Sequence, residues 1–163
     1  MEAMMSGLEN LSIEWVAVWC FALTVVSAIL PWVNAEVMVL ALPTFAHSPL
    51  ELVMLVLVAT AGQMTGKVVV YWSGRGAGNL PKGRRAQAVE RWRERFERRP
   101  RSALGFVFLS SAVGIPPFYV MSLLAGAMRM GFGRFLFFGT CGRLVRFGIL
   151  AFFPYVMMSA AAT

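Results

Sequence analysis

Two long apolar runs in this chain are cut at their middles by proline and polar residues. The first reads ILPWVNAEVMVL at 29–40 and the second reads VGIPPFYVMSLL at 113–124. Lipid cannot hydrogen-bond the backbone groups that a broken helix releases. Such breaks persist only where protein buries them or where they line a wet cavity. A pair of them in corresponding positions of two halves points to a transporter-type site at the interface between the halves. Pro31 and Asn34 in the first run, and Pro116 and Pro117 in the second, are thus the expected hairpin tips.

Composition supports a bilayer as the solvent. The chain has 163 residues, 58% of them hydrophobic, with mean hydropathy +0.68, outside the range of soluble domains. No polar stretch is long enough for a second domain, so residues 1–163 are read as one membrane domain. The N-terminus carries Glu2, Glu9 and Glu14 and no cation, so no signal peptide is expected there.

Five segments follow from the apolar pattern: broken runs at 13–46 and 103–130, intact spans at 50–74 and 132–158, and a basic loop at 75–102. A crossing helix needs about 20 residues. The arms beside the second break reach only about 15–20 Å at the helical rise, so 103–130 is expected to be a re-entrant hairpin. For 13–46 two arrangements fit, a tilted helix with a short returning arm or a hairpin with one long arm. Both return the chain to its side of origin. The second span is expected to end near Pro154.

The charges agree with that parity. Residues 75–101 hold ten Lys/Arg and three Glu, while the rest of the chain holds five of each sign. With only the two intact spans changing sides, the basic loop is cytoplasmic and both termini are outside, as the positive-inside rule requires. The same rule explains the basic run without a nucleic-acid partner. Within it, Val89, Trp92 and Phe96 share a helical stripe ringed by arginines, and Glu94 and Arg98 are spaced as an i,i+4 pair. An interfacial amphipathic helix over 84–99 is expected. Pro100 should stop it.

Four ionisable residues fall deep in apolar segments, Glu36, Lys67, Arg143 and Arg146, and such residues are functional candidates. Asn34 suits an N-cap, which places Glu36 in the first turn of the following helix. Glu36 then serves either as a proton carrier or as an ion-pair partner for Lys67 or an arginine. Arg143 and Arg146 are three apart and neighbours on one helix, a spacing that suits phosphate. Lys67 and Tyr71 share a face of the other span. Cys20 and Cys141 have no motif spacing and read as packing residues. His47 is the only histidine and no metal site is expected. No nucleophile–base pair or phosphate-binding glycine loop is present, so neither an enzyme nor a cofactor is expected.

The two spans also resemble each other. GKVVVYW at 66–72 aligns with GRLVRFG at 142–148, each a glycine followed by a cation and later an aromatic. Small residues precede both, at Gly62 and Gly139, as close helix packing requires. Break, span, glycine and cation thus occur in the same order twice, and opposite sides of insertion would make an inverted repeat.

The segments LPWVNAE, AGQMTGKVVVYWSGR, IPPFYVMSLLAGAMRM and RFLFFGTCGRLVRF resemble the DedA family, the VTT-domain or SNARE-associated membrane proteins, and most closely its short bacterial branch. The most specific part is the pattern of Gly62, Gly66, Tyr71, Gly74 and Arg75, supported by Ala125, Gly126, Phe135, Gly142 and Arg146. The resemblance implies an all-α integral membrane protein of two opposed re-entrant hairpins, each trailed by a transmembrane helix, in a bacterial inner membrane. It also implies movement of phospholipid or polyprenyl phosphate between leaflets, with Glu36 at the position associated with proton coupling. Larger members often carry arginines around the second break, whereas this chain has SSAVGIPP there, which leaves Arg143, Arg146 and Lys67 to bind phosphate. The expected partners are therefore membrane lipids with phosphate-bearing headgroups, and a homodimer suits so short a chain. A transporter of small solutes or ions, and a non-transporting membrane scaffold, are the other two function classes that this sequence accommodates.

Overall fold

A computed structural model describes residues 13–30, 34–76, 91, 94 and 100–161. The six helices discussed below are α1 Ile13–Ile29, α2 Ala35–Ala41, α3 Pro49–Gly76, α4 Pro100–Val113, α5 Phe118–Ala127 and α6 Phe132–Ala161. A 3₁₀ turn, Leu42–Thr44, extends α2. Two helices are long and apolar enough to cross a membrane, Pro49–Gly76 and Phe132–Met157, and no strand occurs among the described residues. The tip residue Pro31 and nearly all of the expected interfacial helix lie outside the described residues.

Local chemistry sets most of the helix ends. The Asn34 side chain accepts a hydrogen bond from the Glu36 amide and caps α2, as its residue type and position predict. Ser48 Oγ accepts from the Glu51 amide while a Glu51 carboxylate oxygen accepts from the His47 amide, a close variant of the capping box that starts α3. Pro100 opens α4, where its missing N–H costs nothing. Pro154 does not end the last helix. It lies inside α6, which continues to Ala161, so this proline is tolerated at the cost of one intrahelical bond.

Each broken segment packs in the same way. α1 runs parallel to α3: Cys20 meets Leu55, Thr24 meets Gly62, and Ala28 meets Gly66. α4 likewise runs parallel to α6: Phe108 and Ser111 crowd Gly142, and one turn on the carbonyls of Ala112 and Val113 meet Arg146. Gly66 meets the Val25 carbonyl and the Ala28 side chain, and Gly142 meets the Phe108 carbonyl and the Ser111 side chain. The spacing, a carbonyl and then a side chain three residues on, is identical. In both halves a glycine removes the Cβ that would hold the helices apart, and dispersion rewards the closer approach.

The short helices cross over. α5 docks on α3 of the other half, where Gly74 makes room for the Leu123 carbonyl and Gly126 for the Tyr71 carbonyl. α2 docks on α6 through Val39, which packs with Phe147 and Ala151.

Two apolar clusters result. One gathers Cys20, Val39, Leu52, Leu55, Ala59, Phe147 and Ala151 near the Pro49 end of α3. The other gathers Met64, Tyr71, Val107, Phe118, Met121, Ala125 and Phe135 near its Gly76 end. α3 and α6 are therefore antiparallel. Between the clusters lies a layer of buried polar groups.

Candidate functional site

That layer forms where the two breaks meet the long helices. From the first half come Thr24, Ser27, Thr60, Gln63 and Lys67, and from the second Ser110, Ser111, Ser122 and Arg143, all buried. Burial of polar groups is costly unless they are bonded, and most of these are. Thr24 and Ser27 donate back to carbonyls of their own helix, Gln63 Nε2 donates to Ser27 Oγ at 2.6 Å, and Ser111 Oγ donates to the Gly139 carbonyl at 2.6 Å.

The cations of the long helices are placed by the breaks themselves. A helix end leaves carbonyls without intrahelical partners and carries partial negative charge, which a nearby cation satisfies. Lys67 Nζ donates to the Ala28 carbonyl at 2.7 Å, near the end of α1. Arg146 Nη1 donates to the carbonyls of Ala112 and Val113, at the end of α4. Gly114 follows with φ +87°, a left-handed conformation that favours glycine, and the Arg146 guanidinium lies 3.2 Å from where a Cβ would stand. Ser110 Oγ donates to the Pro116 carbonyl, and Pro117 precedes α5 without a side-chain cap.

Each of these cations also reaches across to the other half. Arg146 Nε and Nη2 donate to one carboxylate oxygen of Glu36, forming an ion pair between the second long helix and the first tip. Lys67 Nζ lies 5.3 Å from the ring centroid of Tyr119, in the first turn of α5. Glu36 and Tyr119 both stand two residues after the N-cap of their short helix.

Arg143 differs from both. It is only 8% exposed, and its guanidinium lies 5.1 Å from the Phe118 ring and 5.3 Å from the Phe147 ring, so one flanking ring comes from each apolar cluster. Cation–π contacts solvate a guanidinium in part. Yet its Nε is buried without a hydrogen-bond partner, and the Thr60 hydroxyl is the other buried side-chain atom in that condition among the described residues. Arg143 lies within coulombic reach of Lys67, Arg146 and Glu36. Two buried cations, Lys67 and Arg143, thus lie beside a partly exposed ion pair, Arg146 and Glu36, so that among these four residues cations outnumber the carboxylate three to one.

The remaining sequence candidates serve packing. Gly62, Gly66, Gly126 and Gly142 stand at backbone-to-backbone approaches, as described above. Tyr71 is fully buried, donates to the Met130 carbonyl, accepts from Arg75 Nη1 at 2.9 Å and stacks on Phe135 at 4.9 Å. The whole glycine–tyrosine–glycine–arginine pattern of α3 thus serves to seat α1 and α5.

A family model for the VTT domain, the domain of the DedA/SNARE-associated group, matches residues 30–156. The chain belongs to the VTT-domain family. No curated protein and no solved structure matches it. VTT-domain proteins are membrane proteins with transporter-like character, which accords with the two apolar long helices and the buried polar layer between them. The matched span includes Glu36, Lys67, Arg143 and Arg146 and the two breaks, so the site is part of the VTT domain itself.

The four charged residues singled out from the sequence lie together in the structure, and the neutral polar residues beside them were not among the candidates. Ser27, Thr60, Gln63, Ser110, Ser111 and Ser122 stand in otherwise apolar stretches, and that placement was the available signal. Arg143 and Arg146 are neighbours on α6, as their spacing predicts, but the structure gives them different partners.

Proposed function

We propose that this VTT-domain protein moves lipids with phosphate-bearing headgroups between leaflets. The headgroup passes through the polar layer while the acyl chains remain in the bilayer. The observation that carries this reading is Arg143, a buried guanidinium with an unpartnered Nε, beside a second buried cation, Lys67, and the partly exposed Arg146–Glu36 pair. Arginine offers a planar fork of donors, and a phosphate oxygen is the acceptor that would satisfy both the geometry and the excess charge. Lys67 and Arg146 add field; the Arg146 donors are largely committed to Glu36 and the helix-end carbonyls, whereas Lys67 makes one bond, to Ala28. An apolar cavity of about 310 Å³ between α1 and the α2 segment, lined by Trp19, Cys20, Leu23, Met38 and Leu42, supports a lipid over a free solute, because it offers an acyl chain a place beside the layer.

The parallel packing within each half and the crossed docking of α2 and α5 support two re-entrant hairpins of opposite orientation, related as an inverted repeat. In that arrangement the basic loop 75–102 is cytoplasmic, both termini are outside, and the membrane is a bacterial inner membrane. Glu36 acts as the counter-charge of Arg146 and as the group that would exchange a proton.

Reconstitution into vesicles tests this with labelled phospholipid and with a labelled polyprenyl phosphate. Arg143→Gln keeps size and polarity but removes the charge, and loss of one charge-assisted hydrogen bond should slow movement roughly tenfold or more. Parental rates in that variant would sink the reading. Uptake of a soluble phosphate ester without lipid movement would transfer the site to a small-solute transporter. Loss of function on deleting 82–99, with Arg143→Gln silent, would leave a scaffold.

A further inference from the structure

We infer that Lys67 and Arg146 are paired gate-holding residues, one on each side of Arg143, and that the structure is the state with both gates shut. The inference rests on the proposed transport reading and adds the residues that control access to its site. Each cation joins the same two things: the end of its own half's first helix and the second residue of the other half's short helix. Lys67 joins Ala28 to Tyr119, and Arg146 joins Ala112 and Val113 to Glu36. Because α5 docks on α3 and α2 docks on α6, each tie spans a seam between halves. Loosening one tie frees the first turn of one short helix and leaves the other tip held, while the glycine contacts farther along α5 keep that helix on α3.

The ties lie toward opposite ends of the molecule. Arg146 is adjacent to Phe147, which belongs to the cluster near the Pro49 end. Lys67 lies between Met64 and Tyr71, and Tyr119 follows Phe118, all in the cluster near the Gly76 end. Arg143 lies between Phe118 and Phe147, so each side of its guanidinium is covered by the ring next to one tie. A site that admits cargo from one side at a time needs this arrangement: a central binding group, a lid on each side, and a separable lock for each lid. The locks are unequal, since one is an ion pair and the other a contact between a cation and a ring. Lys67 and Arg146 are positioning residues here, and Arg143 is the group left to meet the cargo.

Access to the layer from each face of oriented vesicles tests this. The reporter is Thr60→Cys in a Cys20→Ala, Cys141→Ala background, read by a membrane-impermeant thiol reagent added to one side at a time. Thr60 is buried between the clusters, so slow labelling from both sides is expected in the parent. Lys67→Met should raise labelling roughly tenfold from the Gly76 side alone, the scale expected for losing a desolvated cation–π contact. Arg146→Met and Glu36→Gln should raise it from the Pro49 side alone. Tyr119→Leu, which leaves the Lys67 bond to Ala28 intact, should reproduce the Lys67→Met pattern, and Lys67→Arg should restore slow labelling. Equal increases from both sides would mean a loosened fold and overturn the inference, as would unchanged labelling in both Lys67→Met and Tyr119→Leu. One-sided labelling in vesicles that move no lipid would keep the gates and remove the lipid reading.

Discussion

The two broken segments reach the same architecture with different chemistry. The first turns into α2 through a polar cap, Asn34, and places a carboxylate, Glu36, two residues beyond it. The second turns through Gly114 at positive φ and two prolines, and places a tyrosine at the corresponding point. Their docking differs as well. α5 meets α3 at two glycines facing backbone carbonyls, whereas α2 meets α6 through a cluster of side chains that includes Val39, Phe147 and Ala151. The two segments thus share the position of a break, a glycine and a cation, and differ in the side chain that follows the turn, a carboxylate in one and a phenol in the other.

The most severe way to break the comparison is to fill a glycine at the tighter seam. Gly126→Leu would drive a side chain into the Tyr71 carbonyl and should cost about 3 kcal/mol or more, read as loss of the cooperative unfolding transition in detergent. Gly105→Leu, where nothing lies within 4 Å of an added Cβ, should leave that transition within about 0.5 kcal/mol. At the softer seam, Val39→Ala removes fully buried methyl groups and should cost about 1–2 kcal/mol.

The next test separates the two arginines. Arg146→Met strips donors from Glu36 and from two helix-end carbonyls, and should lower stability by about 1–3 kcal/mol. Arg143→Met removes a cation that has no acceptor, so thermal stability should be unchanged or slightly higher, while the proposed lipid movement should be lost. An equal stability loss in both variants would erase the distinction between a positioning and a binding arginine. The smallest effects belong to the neutral ties. Ser111→Ala gives up a bond to the Gly139 carbonyl and should cost about 1 kcal/mol. Gln63→Leu should cost less, since Ser27 keeps its own bond to the Thr24 carbonyl.

The elements that depend on neighbouring residues were legible in advance. Asn34 caps α2 because an acceptor two residues before an unpaired amide is a local arrangement, and the two intact spans follow from length and hydropathy alone. The 132–158 span matches Phe132–Met157, but the helix itself continues through Pro154 to Ala161, which neighbours along the chain do not decide. A proline is a helix breaker only where the surroundings do not hold the helix on either side, and here Ala151, Phe152 and Tyr155 pack against the first cluster. The Ser48–Glu51 cap is as local as the Asn34 cap, a hydroxyl followed three residues on by a carboxylate.

By itself the sequence determined the breaks, the spans, the positions of the glycines and the four charged residues within apolar segments, since each depends on spacing along one segment. Only the tertiary structure decided which charge meets which. Glu36 pairs with Arg146, 110 residues away, rather than with the nearer Lys67, because α2 crosses to dock on α6 and not on α3. Arg143 and Arg146 are three residues apart and so point about 60° apart around their helix. That angle is enough to send one into a slot between two rings and the other to a carboxylate.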